Sequence, residues 1–220
     1  NYIIIKKLRK TSEIIQQLEL PLSDYKKLIY HRKEIENILS GKDNRLIVIV
    51  GPCSAWPQEA TLDYAEKLFH LNKKVKMKLK IIMRAYIQKP RTSVGWLGPA
   101  IQPDPFSFPD AELGMRYCRE MMLKIIKLGL PIASEVLFTH NSRSFLDLLS
   151  WACIGARSTE DQEHRIFASA FDCPVGFKNS THGSLKISVN SILAAQASHV
   201  AVFDGYEVHT LGNQYAHAVL

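Results

Sequence analysis

The sequence predicts an α/β protein with the strand arrangement of a (β/α)8 TIM barrel, truncated within the sixth strand. Five short apolar runs alternate with amphipathic helical segments, as in a parallel sheet whose strands are buried on both faces. Each run also ends next to a residue able to do chemistry, which is typical of the C-terminal face of a barrel. These residues are Cys53, Arg84, Glu135, Arg157 and Lys178.

The first 45 residues precede this alternating pattern. We expect residues 1–45 to form a helical N-terminal arm and residues 46–220 to form an incomplete (β/α)8 catalytic domain. Pro21 interrupts the arm, because proline cannot continue a helix. Ser23 is expected to cap the helix that follows.

Capping residues and apolar spacing predict the helices of the catalytic domain. Pro57 and Asp110 are expected at helix starts, and Gly129 at a helix end. Thr159 with Gln162 has the spacing of a capping box. The last helix is predicted from the amphipathic spacing of Leu185, Val189, Ile192 and Leu193.

The residue pattern near the end of the sequence predicts a hairpin and a further strand. Residues 199–203 and 206–210 flank Asp204-Gly205, a dipeptide typical of tight hairpin turns. Residues 216–220 are expected to begin the sixth barrel strand. An open α/β sheet is the alternative to a truncated barrel. We favour truncation, because an open sheet would leave apolar strand edges unpaired.

Composition restricts the function. Hydrophobic residues make up 46% of the 220 residues and charged residues 22%, as in soluble globular chains, and no apolar run approaches the ~20 residues of a membrane span. The net charge of +7 indicates an anionic partner. The lysines of residues 73–80 have no aromatic residues among them, so we expect phosphorylated metabolites rather than nucleic acid. Four cysteines without a CxxC pair fit a cytoplasmic location.

The loop after the second apolar run has the chemistry of a phosphate site. It reads KPRTSVGW over residues 89–96. Arg91 offers a planar fork to phosphate oxygens, and Lys89 offers a point charge. Pro90 fixes its own φ and favours an extended Lys89.

Several motifs occur in a fixed order: GPCS at 51–54, MRAY at 83–86, KPRTSVGW at 89–96, SWACIGAR at 150–157, HR at 164–165 and CPVGFKN at 173–179. Together they resemble the type I 3-deoxy-D-arabino-heptulosonate 7-phosphate (DAHP) synthases over roughly residues 25–220. The resemblance implies an aldol-like condensation of phosphoenolpyruvate with erythrose 4-phosphate, giving DAHP and phosphate. In that family this is the first step of the shikimate pathway to aromatic amino acids.

The resemblance also implies site residues, with Lys89, Glu135 and Lys178 as the catalytic group. Cys53 would be the first ligand of a divalent Mn, Fe or Co ion that polarises the aldehyde carbonyl. The other ligands are expected beyond Leu220, so activity of the 220 residues alone is doubtful. The phosphoenolpyruvate residues would be Arg84, Glu135, Ala156, Arg157 and Lys178. The erythrose 4-phosphate residues would be Lys89, Pro90, Arg91 and Thr92.

Other interpretations of these residues stay open. Cys53 could be a buried strand thiol, Arg84 and Arg157 ordinary ion-pair partners, and Lys178 a solvated lysine. The residues at 55–57 and 134–138 depart from the family pattern. A non-catalytic or regulatory homologue, or an enzyme for another phosphorylated sugar, is therefore an alternative. The resemblance further implies a homodimer or homotetramer and feedback inhibition by an aromatic amino acid.

Overall fold

The computed structural model describes residues 1–219, except the side chain of residue 141. Two helices, α1 (Thr11–Gln17) and α2 (Leu22–Leu39), precede the first strand. The strands are β1 (Leu46–Val50), β2 (Leu79–Arg84), β3 (Ile132–Glu135), β4 (Trp151–Ile154), β5 (Val175–Lys178), β6 (Val200–Phe203), β7 (Tyr206–His209) and β8 (His217–Val219). The later helices are α3 (Gln58–Val75), α4 (Ala111–Leu128), α5 (Thr139–Ser142), a 3₁₀ turn (Leu146–Leu148), α6 (Gln162–Ala168) and α7 (Leu185–Gln196).

Six strands form one parallel sheet in the order β1-β2-β3-β4-β5-β8. Neighbours in the sheet are also neighbours in sequence, apart from the antiparallel hairpin β6-β7 that stands between β5 and β8. The predicted α/β class is therefore confirmed. Because all six strands run in one direction, their C-terminal ends lie along a single edge.

Apolar side chains lie on both faces of the sheet. Every residue of β3 and β4 is buried. Side chains such as Met83 face the helices and pack on α4 residues, for example Met121 and Ile125. The opposite face carries Ile82, Ala133, Trp151 and Cys153, and Ile35 of α2 closes one end of it. Since strand side chains alternate between faces, Arg84 lies on the same inner face as Ile82.

The N-terminal arm differs from its prediction. Residues 1–10 are not helical, and the apolar residues 3–5 are exposed. Ion pairs of Lys6 with Asp110 (2.8 Å) and Arg9 with Glu112 (3.0 Å) hold this segment against α4. Its β-branched run favours extended backbone and gives no helical apolar stripe to bury.

The cap predicted at Ser23 is wrong. Pro21 is the N-cap of α2 with a φ of −56°, so Ser23 lies inside the first turn. Proline is tolerated at this end because the first backbone N–H groups of a helix have no partner inside it. The other predicted boundaries are found: Pro57 and Asp110 are N-caps, and Gly129 ends α4 with a φ of 96°.

The capping box at Thr159 is also wrong. The N-cap of α6 is Asp161, whose side chain accepts from the His164 amide. The Thr159 hydroxyl instead donates to the buried hydroxyl of Ser191 at 3.3 Å. Asp161 immediately precedes the helix, so its short carboxylate reaches the free amides directly.

Helix α7 is present, but its buried side is not the predicted one. Leu185, Val189 and Leu193 are more than half exposed. Ser188, Ser191 and Ala195 are buried instead. The Ser191 hydroxyl donates to the Thr159 carbonyl at 2.7 Å, which shows that small side chains let α7 approach its neighbours closely.

The predicted sixth strand is β8, which pairs in parallel with β5. The last residue of that prediction, Leu220, lies outside the described residues. The division of the chain at residues 45 and 46 stays a prediction. No helix among residues 1–219 has the length and apolar character needed to cross a membrane.

Candidate active site

Three predicted site residues are the last residues of their strands. Arg84 ends β2, Glu135 ends β3 and Lys178 ends β5. The register pairs Arg84 with Ala133 and Glu135 with Cys153, so these residues lie on one edge of the sheet. Parallel α/β proteins place their ligands at this edge.

Arg84 is held by the neighbouring loop. Its Nε and Nη2 atoms both donate to the Gly51 carbonyl, at 3.0 and 2.7 Å. Gly51 has a φ of 152°, and a Cβ there would lie 2.2 Å from the Arg84 carbonyl oxygen, so only glycine permits this approach. Among residues 1–219 no carboxylate forms an ion pair with Arg84, which leaves its charge available to an anion.

Glu135 and Lys178 form an ion pair across the strand ends. Lys178 Nζ lies 2.9 Å from Glu135 Oε2, and the Glu135 side chain is only 5% exposed. Burial disfavours the Lys178 cation, but the electrostatic interaction with Cys153 and the hydrogen bond to Glu135 together outweigh it, and the pKa of Lys178 is raised. Gly155 makes room for this pair, since a Cβ there would lie 2.4 Å from Glu135 Oε1.

Cys53 and Lys89 form a second polar pair. Lys89 Nζ donates to the Cys53 carbonyl at 2.7 Å and to its Sγ at 3.0 Å. This hydrogen bond lowers the pKa of the Cys53 thiol, although burial opposes it. Cys53 is exposed, so the interpretation of Cys53 as a buried strand thiol is wrong. An accessible sulfur whose pKa is lowered is suited to metal binding or to nucleophilic chemistry.

The loop over residues 89–97 is closed by its own hydrogen bonds. The Lys89 amide donates to the Leu97 carbonyl at 2.9 Å, and Arg91 Nε donates to the Trp96 carbonyl at 2.7 Å. Arg91 is exposed, and its terminal nitrogens have no partner among residues 1–219. Those nitrogens can therefore take an anion from solvent.

The turn after β4 reaches this loop. Arg157 Nη2 donates to the Thr92 hydroxyl at 3.0 Å. The Ala156 amide has no hydrogen-bond partner in the described part of the chain. Thus the structure brings the predicted residues together in pairs, namely Glu135 with Lys178, Cys53 with Lys89, and Thr92 with Arg157, whereas Pro90 makes no polar contact with the others.

Sequence reasoning missed three residues of this region. Tyr86 lies beneath the cations Arg84 and Lys178, and its position two residues after Arg84 is a signal that could have revealed it. Gln88 is fully buried and accepts from the amides of residues 137 and 138. Trp56 meets Trp96 and Phe106 edge-on at 6.2 Å. No sequence pattern predicts the last two.

The described residues form only part of a metal site. Among residues 1–219 no three His, Cys, Asp or Glu side chains are grouped as metal ligands. The exposed Cys53 sulfur, with its lowered pKa, fits a transition metal, since thiolates bind these better than Mg²⁺. The described residues therefore supply one suitable ligand, Cys53, for the predicted metal.

Comparison with known proteins gives consistent results. The profile of the DAHP synthetase I family matches residues 17–219. The "Phospho-2-dehydro-3-deoxyheptonate aldolase, Trp-sensitive" of Buchnera aphidicola subsp. Schizaphis graminum is 41% identical over 222 residues, covering 99% of this chain and 61% of that protein. The protein of the same name from Escherichia coli K12 is 42% identical, covering 86% of this chain and 56% of its own length.

A solved structure is similar over nearly the whole chain. It is a phospho-2-dehydro-3-deoxyheptonate aldolase from Francisella tularensis SCHU S4, with a TM-score of 0.95 and 35% identity. The match covers 99% of this chain and 65% of that one. The sheet is thus a curled, parallel half-barrel, and the chain spans about three fifths of the length of its matched relatives.

Proposed function

Because the chain belongs to the DAHP synthetase I family, we propose that it forms the substrate-binding half of a DAHP synthase within a (β/α)8 barrel. The reaction would join phosphoenolpyruvate to erythrose 4-phosphate, with uptake of water and release of phosphate. The observation that carries this proposal is the convergence of Arg84 and Lys178 beside the buried carboxylate of Glu135 at one strand edge. Phosphoenolpyruvate has a carboxylate and a phosphate, and therefore needs several fixed cations.

Phosphoenolpyruvate would lie between the ends of β2, β4 and β5. Arg84 and Lys178 would bind its anionic groups, and Arg157 with the Ala156 amide would bind its phosphate. The raised pKa of Lys178 keeps this cation charged at neutral pH. Lys178 Nζ donates a hydrogen bond to Glu135 Oε2 at 2.9 Å, which holds the ammonium group of Lys178 in place.

Erythrose 4-phosphate would lie against the loop after β2. Arg91 has free terminal nitrogens for its phosphate, beside the Thr92 hydroxyl, and Pro90 would shape this wall. The new bond would join the methylene carbon of phosphoenolpyruvate to the aldehyde carbon. The aldehyde oxygen then needs a proton, and Lys89, whose ammonium group lies on Cys53, is positioned to donate it.

A divalent Mn, Fe or Co ion would be bound through Cys53, with further ligands from outside the described residues. When bound, such an ion would polarise the aldehyde carbonyl. Lys89 stabilises the thiolate form of Cys53 that metal binding requires.

The alternatives have less support. Nothing among residues 1–219 favours a non-catalytic homologue, because Cys53, Lys89, Glu135 and Lys178 keep mutual contacts suited to chemistry. The KPRT loop likewise favours erythrose 4-phosphate over another phosphorylated sugar.

A cleft away from the strand edge is our candidate for a regulatory site. Relatives of this chain are named Trp-sensitive, and a cleft of about 420 Å³ lies between α6 and the hairpin. Arg143 lies 4.4 Å from the Phe203 ring centroid in this cleft and forms an ion pair with Asp204. We propose feedback inhibition by an aromatic amino acid here, in a cytoplasmic homodimer or homotetramer.

Product analysis by ³¹P NMR tests the reaction. With both substrates and Mn²⁺, the phosphoenolpyruvate signal should decay while DAHP and inorganic phosphate appear in equal amounts. Omitting erythrose 4-phosphate should abolish phosphate release, which separates synthesis from simple hydrolysis. Phosphate release without DAHP would overturn the proposal.

A further inference from the structure

Tyr86 occupies the space under the strand-end cations. It follows β2 on the inner face of the sheet and is only 6% exposed. Its neighbours in the inner core include Ile82, Trp151 and Cys153.

Two cations lie over its ring. The Arg84 guanidinium carbon is 5.4 Å from the ring centroid, and Lys178 Nζ is 5.2 Å from it. Both distances are within the ~6 Å over which a ring quadrupole attracts a cation, and the attraction grows when the pair is shielded from water. One aromatic ring therefore lies within this range of two like charges that come from different strands.

A contact of the Tyr86 hydroxyl with β4 fixes the orientation of the ring. The Tyr86 hydroxyl lies 3.0 Å from Cys153 Sγ. Burial raises the pKa of Tyr86, and it raises the pKa of Cys153 to about 12, so this contact joins two neutral groups. The ring thus stays uncharged and rests on β4, while the cations come from β2 and β5.

The cations need such support before a substrate arrives. Among residues 1–219, the hydrogen bonds of the Arg84 side chain go to the Gly51 carbonyl, and Lys178 is held by Glu135. Like charges repel each other, and among residues 1–219 the Glu135 carboxylate forms an ion pair with Lys178 but not with Arg84. An electron-rich ring adjacent to both cations attracts each of them and partly offsets that repulsion, and it adds no formal negative charge that would compete with an anionic substrate.

We propose that Tyr86 is a positioning residue whose ring sets the spacing of Arg84 and Lys178 for a small ligand carrying carboxylate and phosphate groups. This inference rests on the proposed function, since it concerns the same phosphoenolpyruvate site. The aromatic ring carries the role, and the hydroxyl only orients it.

Calorimetric titration with phosphoenolpyruvate tests the role of the ring. Tyr86→Leu should weaken binding about tenfold or more, as expected for loss of shielded cation–π contacts, whereas Tyr86→Phe should stay within about threefold of wild type. The KM for erythrose 4-phosphate should stay unchanged in both. Phe69→Leu is the matched control, because it removes a cation–π contact with Lys73 (4.2 Å) on α3, and it should bind normally.

Fluorinated phenylalanines at position 86 keep the shape of the ring and reduce its electron density. The affinity for phosphoenolpyruvate should fall stepwise as fluorine atoms are added, and this series decides the question even if Tyr86→Leu fails to fold. Equal affinity across the series, in a protein whose wild type binds, would overturn the role of Tyr86 alone. A wild type that binds no phosphoenolpyruvate would overturn the proposed function and this inference with it.

Discussion

Arg157 and Thr92 are joined by a hydrogen bond of 3.0 Å, although 65 residues separate them in the chain. The bond connects the turn after β4 with the loop after β2. In the proposed function these two residues serve different substrates, so the bond places both phosphate subsites side by side. This adjacency makes it possible to test each subsite against the other.

Arg91→Ala should selectively weaken the binding of erythrose 4-phosphate. The terminal nitrogens of Arg91 have no partner among the described residues, and loss of a charge-assisted contact costs about 2–3 kcal/mol, or roughly 30–150-fold in KM. The KM for phosphoenolpyruvate should change little. Steady-state kinetics with each substrate varied in turn measures both values. Arg116→Ala, an arginine on α4 that contacts Gln17, is the control, and an equal loss for both substrates would contradict the assignment.

Gly155→Ala should disable the Glu135–Lys178 pair. The added Cβ would lie 2.4 Å from Glu135 Oε1, so the carboxylate must move away from Lys178. We expect kcat/KM to fall at least about 100-fold, with a loss of about 1–3 kcal/mol in the free energy of unfolding.

Gly41→Ala separates these two effects. Gly41 has a φ of 72°, and a Cβ added there would have no other atom within 4 Å, so the substitution strains the backbone without touching the site. It should lower stability and leave kcat/KM unchanged. Normal kinetics in Gly155→Ala would show that the position of Glu135 is not important.

Removal of divalent metal should abolish activity. EDTA treatment should inactivate the protein, and Mn²⁺, Fe²⁺ or Co²⁺ should restore it. Cys53→Ala should bind metal more weakly, because a soft donor is lost, whereas Cys118→Ala, at a buried cysteine on α4, should not. Elemental analysis accompanies the assay, and full activity in demonstrably metal-free protein would exclude this mechanism.

Glu34 should make stability depend on acid pH. This half-buried carboxylate forms ion pairs with Lys80 at 2.5 Å and with Arg45 at 2.7 Å. These contacts offset the free-energy cost of burying its charge. Burial raises its pKa, but the hydrogen bonds with His31 (3.2 Å), Lys80 and Arg45 outweigh burial, and the pKa is strongly lowered. Since the folded-state pKa lies below the unfolded value of about 4.3, the stabilisation is present above that pH and is lost as the pH falls below it.

Urea unfolding at pH 7, 5, 4 and 3 measures this effect. Glu34→Gln should reduce stability at pH 7 and flatten the decline below pH 4. Glu66→Gln, at an exposed position on α3, should follow the wild-type curve. Parallel curves for wild type and Glu34→Gln would mean that Glu34 is not linked to acid unfolding.

The sequence predicted the strands better than the segments that pack around them. Apolar runs ending in Arg84, Glu135 and Lys178 indicated both the sheet and the edge at which these three residues lie, since burial on two faces leaves a strong local pattern. The helical prediction for residues 1–10 was wrong. These residues form ion pairs with Asp110 and Glu112 at the start of α4, over 100 residues away, which no local pattern reveals. Similarly, α7 buries Ser191 rather than Leu193 because close packing, not hydrophobicity, selects its inner side.

Pair contacts within the site were beyond sequence reasoning. The bond of Arg157 to Thr92 and the support of residues 137 and 138 by Gln88 join loops that only the folded sheet brings together. Tyr86 could have been inferred from its two-residue spacing to Arg84. Its contact with Lys178 depends on the order of strands in the sheet.

The binding site for phosphoenolpyruvate can be located in a crystal structure of the protein with phosphoenolpyruvate and Mn²⁺. We expect the ligand at the strand edge, with its carboxylate or phosphate oxygens within hydrogen-bond distance of Arg84 and Lys178 and its phosphate next to Arg157. Phosphoenolpyruvate bound elsewhere, with Arg84 and Lys178 free of it, would show that these cations do not form the site.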